Sequence, residues 1–167
     1  MQATTLSADY LEQLYGMPVP QEVLYWALRL ETLGFDVVFT GSRIIGEWTE
    51  ASDWDLVVAC ALDDPRVLDL KHQMYRINDE IVQAWRDRIS EGDDPFDPSM
   101  PTDVQIGSKS CEGVDYITTL RVREVNIIIE HRGGDFLDRW RIATDMAIEA
   151  GALTKAERAR IFEECGT

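Results

Sequence analysis

Basic residues are scarce in this chain. Lysine and arginine number 16 against 31 aspartates and glutamates, giving a net charge of −15. Such a surface argues against bulk attraction to DNA, RNA or an anionic membrane, which are polyanions. A small anionic substrate is still admissible, because a local site outweighs the global field, and a basic protein partner suits the acidic surface. Histidine is scarcer still. His72 and His131 leave little material for a His-rich metal site or a Ser–His–Asp triad. The three cysteines, Cys60, Cys111 and Cys165, are odd in number, far apart and form no CxxC pair. Neither a disulfide framework nor a zinc ribbon is supported. No apolar run approaches the roughly 20 residues that span a bilayer. Residues 1–10 lack the basic-then-apolar pattern of a secretory leader. The expected setting is a reducing cytoplasm. Internal repeats and low-complexity tracts are absent as well.

What remains is ordinary globular material, 45% hydrophobic and 28% charged over 167 residues. That length suits one domain able to bury a core without staples. Residues 1–20, closed by Gly16, Pro18 and Pro20, read as an N-terminal extension, and residues 21–167 as a single domain.

Val23, Leu24, Trp26, Ala27, Leu30 and Leu33 recur near helical spacing, so a helix is expected from Gln21 to Leu33, stopped by Gly34. Phe35–Thr40 and Trp54–Ala61 read as buried strands. A long helix is expected from Val67 to Ile89, with Leu68, Met74, Ile77, Ile81 and Trp85 inward. Residues 90–103, rich in acids and prolines, form a loop. Strands follow at Val104–Ile106, Tyr116–Val122 and Val125–Glu130, then helices over Asp135–Ala150 and from Thr154 onward. The expected class is α+β, a mixed sheet of four to five strands with helices packed on it.

The chemistry lies in Val37–Cys60. A strand ends in Gly41-Ser42, ten residues intervene, and Asp53-Trp54-Asp55 opens the next strand. Strand residues two apart share a face, so Asp53 and Asp55 present their carboxylates side by side. With little else to neutralise them they repel, and a divalent cation relieves the repulsion. Mg²⁺ prefers one or two carboxylates plus substrate phosphates. Gly41 allows close approach of backbone to phosphate, and Ser42 offers a hydroxyl to the same group.

Gly-Ser followed about ten residues on by Asp-x-Asp resembles the nucleotidyltransferase superfamily, the DNA polymerase β-like fold. The second half is similar to small phage-encoded proteins of that fold, through Arg43, the strand Val125-Asn126-Ile127-Ile128-Ile129, and the pattern from Phe136 to Phe162. The resemblance implies a Mg²⁺- or Mn²⁺-dependent enzyme transferring a nucleoside monophosphate from a nucleoside triphosphate to a hydroxyl. Asp53 and Asp55 would bind metal, and Gly41 and Ser42 the triphosphate.

Such enzymes carry a third carboxylate on a neighbouring strand. The matching position here is Asn126, which cannot act as a base. Glu124, two residues earlier, or Glu130, four residues later, stands in if the register allows. Without a third acid, the alternative is a catalytically weak or inactive accessory protein that binds nucleotide or a host protein partner. Arg43 reads equally as a phosphate ligand or a surface ion-pair partner, and Lys109 as a nucleotide contact or a plain turn lysine. Asn126 is either a site residue or a structural hydrogen-bonder. Trp48 and Trp54 flank the motif and suit base stacking or packing. His131 reads as a surface residue. The acceptor is expected to be a protein or small-molecule hydroxyl. A tRNA end is admitted through Arg139, Arg141, Arg158 and Arg160.

Overall fold

Val23, Trp26, Ala27 and Leu30 lie on one helical stripe, and that stripe is the buried face of α1 (Gln21–Thr32). Leu33 follows, and Gly34 takes φ +86°. Gly34 N–H donates to Glu31 O at 2.9 Å and Phe35 N–H to Leu30 O at 3.0 Å, the paired bonds of a Schellman stop. Phe35 is thereby drawn into the helix cap, so the first strand is shorter than its apolar run and begins at Val38.

The computed structural model describes residues 19–45, 49–90 and 104–150, together with residues 156 and 160. The expected N-terminal extension therefore lies almost wholly outside the described residues, as do the acidic loop and Trp48. Of the helix expected from Thr154, the described Ala156 and Arg160 are helical. After α1 come β1 (Val38–Thr40), the one-turn α2 (Ser42–Ile45), β2 (Trp54–Ala59) and α3 (Pro65–Ser90). Then follow β3 (Val104–Cys111), β4 (Val114–Val122), β5 (Val125–Glu130) and α4 (Phe136–Ala150).

The five strands form one sheet in the order β1-β2-β5-β4-β3. Only β2 and β5 run parallel, and the other three pairings are antiparallel. This is the α+β class expected, a mixed sheet with helices packed on it.

One sheet face is apolar. Phe39, Trp54, Leu56, Val58, Leu120, Val122, Val125, Ile127 and Ile129 meet Val23, Trp26 and Leu30 of α1 and Val67, Leu70 and Met74 of α3. Burying aliphatic side chains of this size contributes about 1.5–3 kcal/mol each. The inward stripe of α3 runs through residues 67, 70 and 74. Leu68, expected inward, is instead 54% exposed, because it stands two positions from Leu70, about 200° around the helix from that stripe.

The opposite face is covered by α4, which packs on β1, β2 and α2. Its Ala143, Thr144 and Ala147 are buried there. Thr144 Oγ1 donates to Thr40 Oγ1 at 3.0 Å, tying α4 to the end of β1. No helix among the described residues is long and apolar enough to cross a membrane.

Candidate functional site

Register decides which side chains meet. Thr40 pairs with Asp55 across β1 and β2, and Asp55 with Asn126 across β2 and β5. Asn126 pairs with Arg121 on β4, and Arg121 with Gln105 on β3. Directly paired residues point to the same side of a sheet. A polar row, Thr40–Asp55–Asn126–Arg121–Gln105, therefore crosses all five strands on the face opposite the main core. Asp53 lies two residues before Asp55 and joins the same side.

Gly41 ends β1 with φ +82°, a left-handed conformation that favours glycine. Its Cα lies hard against the Asp55 carboxylate. A Cβ built there would fall 2.0 Å from Oδ2 and 2.8 Å from Cγ. Gly41 O accepts the Ile44 N–H at 3.1 Å and starts α2. Ser42, the first residue of α2, is partly exposed, and its hydroxyl has no hydrogen bond to a described residue. Gly41, Ser42, Asp53 and Asp55 are thus brought to one end of the sheet, as their spacing predicts.

Asn126 stands directly beside Asp55, and its Nδ2 donates to Asp55 Oδ1 at 2.8 Å. Of the two roles considered for it, the hydrogen-bonding one is seen directly, and it places Asn126 against Asp55. Arg121 supplies a group the sequence reading missed. Its Nη2 lies 3.1 Å from Asp53 Oδ1, with side chains 43% and 27% exposed respectively. The two acids are therefore not left to repel each other. Each already has a donor, one neutral and one cationic. A pair this exposed contributes on the order of 0–1 kcal/mol. Only the strand order, which lays β4 next to β5, reveals this contact.

Glu124 lies in the tight turn between β4 and β5, and its backbone O accepts the Trp54 N–H at 2.7 Å. That bond extends the β2–β5 ladder and holds Glu124 beside Asp53. The Glu124 carboxylate has no hydrogen bond or ion pair with a described residue. The turn itself is strapped to α1, with Arg123 Nε donating to Glu22 Oε1 at 2.8 Å. Glu130 shares the face of Asn126 but stands four residues along β5, about 13 Å away. It is fully buried and bound by Arg132 Nε at 2.7 Å and Nη2 at 2.5 Å. Burial pushes its carboxyl up, but Arg132 and the Trp140 indole more than offset this and hold it below the ordinary glutamate value. Glu130 is a structural ion pair and not a third acid of the site.

The structure also places the other residues considered. Arg43 Nε donates to Ser52 O at 3.0 Å and Nη2 to Glu50 O at 3.1 Å. It fastens the connector to α2, with its guanidinium 5.6 Å from the Trp54 ring centroid. Trp54 is 3% exposed on the core face and offers no surface to a base. Ser52 closes a turn by accepting the Thr49 N–H at 2.9 Å. Lys109 is exposed on β3, four residues beyond Gln105 and three strands from β2. Strand geometry puts its backbone roughly 19 Å from that of Asp55, too far for a lysine to bridge. The tract Gly107-Ser108-Lys109-Ser110 is not a turn but the outer half of β3. The reversal comes later, at Glu112 and Gly113, both with positive φ.

His131 is partly buried, not a surface residue. Its Nε2 lies 2.7 Å from Thr118 Oγ1 and its Nδ1 3.0 Å from Cys60 O, joining β4 to the end of β2. Burial first, then the Asp64 charge, pushes the Cys60 thiol up to about 11, so it carries no thiolate at neutral pH. Two of the arginines considered for tRNA are engaged with acids. Arg139 meets Asp135 at 3.1 Å, and Arg141 pairs with Asp36 and Asp138.

The donor set fits a hard divalent cation in part. Two carboxylates share one face, with a glycine Cα where any side chain would intrude. Among the described residues no three His, Cys, Asp or Glu side chains converge on one point. A cation here would draw its remaining ligands from phosphate and water, as Mg²⁺ commonly does. No protein-family model matches the chain, and no curated protein or solved structure matches it either.

Proposed function

We propose that the protein is a Mg²⁺- or Mn²⁺-dependent nucleotidyltransferase, moving a nucleoside monophosphate from a nucleoside triphosphate to a hydroxyl acceptor. The observation that carries the reading is the contact of Gly41 with the Asp55 carboxylate. A strand-ending Gly-Ser is pressed against an Asp-x-Asp strand, with Asp53 on the same side.

In this reading Asp53 and Asp55 would hold the cation, which would supply neutralisation of the triphosphate charge. Gly41 keeps the approach to Asp55 clear of side-chain atoms. Ser42 donates its hydroxyl to a phosphate oxygen. Glu124 accepts the proton of the acceptor hydroxyl, being the acid beside Asp53 with no hydrogen-bond or ion-pair partner among the described residues. The acceptor oxygen bonds to the α-phosphorus as the bond to the bridging oxygen breaks, and pyrophosphate leaves. A protein or small-molecule hydroxyl suits the net charge of −15 better than a nucleic-acid end.

A second reading is favoured by one observation. Asn126 occupies the position beside Asp55 and spends its amide N–H on that carboxylate. A site built this way holds a nucleotide without turning it over, which suits an accessory protein that senses nucleotide or docks a partner.

The test is incubation with each labelled nucleoside triphosphate and Mg²⁺, with D53A/D55A alongside. Pyrophosphate released by wild type and lost in the double variant supports the transferase. Cation-dependent binding without release supports the accessory protein. Absence of both sinks the site.

A further inference from the structure

Asp53 has one ion-pair partner among the described residues, and it is Arg121. Among the described residues, no other ion pair holds the arginine there. Its side chain is 43% exposed, it packs into no core, and its remaining contact is a long Nε bond to Arg123 O at 3.3 Å. The pair is therefore held weakly in high dielectric and opens readily. A guanidinium and a divalent cation on one carboxylate repel each other, so each weakens the other's hold on Asp53. The cation is the stronger partner, carrying two charges on a compact ion that prefers carboxylate oxygen.

We propose that Arg121 is a placeholder for the cation. Its guanidinium neutralises Asp53 in the empty site, is expelled when a cation–triphosphate complex enters, and then pairs through its planar fork with a phosphate oxygen. This rests on the nucleotide reading above and adds a rule of loading to it. Free cation must displace Arg121 with nothing to receive the arginine. Cation arriving with triphosphate displaces it toward an anion that accepts two parallel N–H bonds. Cation and nucleotide then bind together and each binds poorly alone. Asn126 completes the arrangement at Asp55. Being uncharged, it has no repulsion with the cation and can keep its bond to Oδ1 throughout.

The experiment measures binding and not turnover. Mn²⁺ is titrated by electron paramagnetic resonance into wild type, R121Q and R121K. Each is tested alone and with the non-hydrolysable α,β-methylene analogues of ATP, GTP, CTP and UTP. Circular dichroism confirms that the variants are folded. R121Q should bind Mn²⁺ alone about tenfold more tightly than wild type, and the Mn²⁺–analogue complex about tenfold more weakly. R121K keeps the charge but not the fork. It should match wild type for Mn²⁺ alone and lose affinity for the complex. If wild type binds the Mn²⁺–analogue complex while R121Q binds free Mn²⁺ no more tightly than wild type, the placeholder role is overturned and the nucleotide reading stands. If wild type takes up neither Mn²⁺ nor any analogue, the nucleotide reading fails and this proposal with it.

Discussion

Gly41 and Asn126 both lie against the Asp55 carboxylate. Gly41 sits at φ +82° with the Asp55 carboxylate where a Cβ would go. Gly41→Ala should cost about 1–2 kcal/mol for the left-handed backbone alone. It should also push Asp55 aside and abolish Mn²⁺ uptake, read by urea unfolding and by cation titration. Asn126→Asp tests the neighbouring position. It replaces a donor 2.8 Å from Asp55 Oδ1 with a second carboxylate. Without cation the two acids repel and one is driven to hold its proton to higher pH. The variant should lose about 2 kcal/mol at pH 7.5, with the loss growing as pH rises. Millimolar Mg²⁺ should restore most of it, and thermal melts with and without Mg²⁺ give the comparison. Wild type, whose acids already have donors, should respond less.

Two elements begin at matching clamps. Before α3, Arg66 closes on Asp64 through its backbone N at 2.9 Å, Nε at 3.0 Å and Nη2 at 2.8 Å, and lies 3.9 Å from the Phe35 ring. Before α4, Arg132 closes on Glu130 in the same acid-x-Arg geometry and lies 4.0 Å from the Phe136 ring. The Arg66 hydrogen bonds hold the Asp64 carboxyl down to about 2. Glu130 is also lowered, as burial is outweighed by Arg132. A carboxyl lowered in the folded state stabilises fully above its unfolded value, roughly 4 for either acid, and that contribution is lost as pH falls through the folded value. Stability should therefore decline from about pH 4.5 toward pH 2, and Asp64→Asn and Glu130→Gln should each flatten that decline in urea titrations. Arg132→Met leaves a buried carboxylate unpaired. It should cost about 2 kcal/mol, less than for a fully buried pair because Arg132 is 38% exposed.

Much at this scale was legible in the chain. The apolar runs of β2 and β5 and the stripe of α1 are burial patterns that local sequence records directly. The outer half of β3 was not, because Gly107-Ser108-Lys109-Ser110 has turn chemistry and an exposed edge strand needs no apolar alternation. Nor were the clamps, since Asp-x-Arg and Glu-x-Arg are common surface patterns until burial gives them weight. That Gly41, Ser42, Asp53 and Asp55 lie at one end of the sheet was expected from their spacing. Arg121 was missed because its meeting with Asp53 depends on strand order, which no local pattern encodes.

For the whole molecule, the net charge of −15 over 167 residues makes self-repulsion a global cost. Raising NaCl from about 10 mM to about 150 mM shortens the Debye length from ~30 Å to ~8 Å and screens it. The melting temperature should rise by about 2–4 °C, equivalent to about 1 kcal/mol for a chain of this size, as scanning fluorimetry would show. A fall would mean that stabilising ion pairs outweigh the repulsion.

The parallel pairing of β2 with β5 has a consequence in time. Asp55 and Asn126 meet although they stand 71 positions apart in sequence, with α3 and the β3–β4 hairpin between them. Contacts so distant in sequence close late, after local helices and hairpins have formed. On a ribosome, β2 emerges with half of its hydrogen bonds waiting for a strand not yet synthesised. Until β5 docks, the acidic strand lacks its neighbour. The pairing of Asp55 with Asn126 thus reports that β5 has docked, and no nascent chain ending before β5 can possess it.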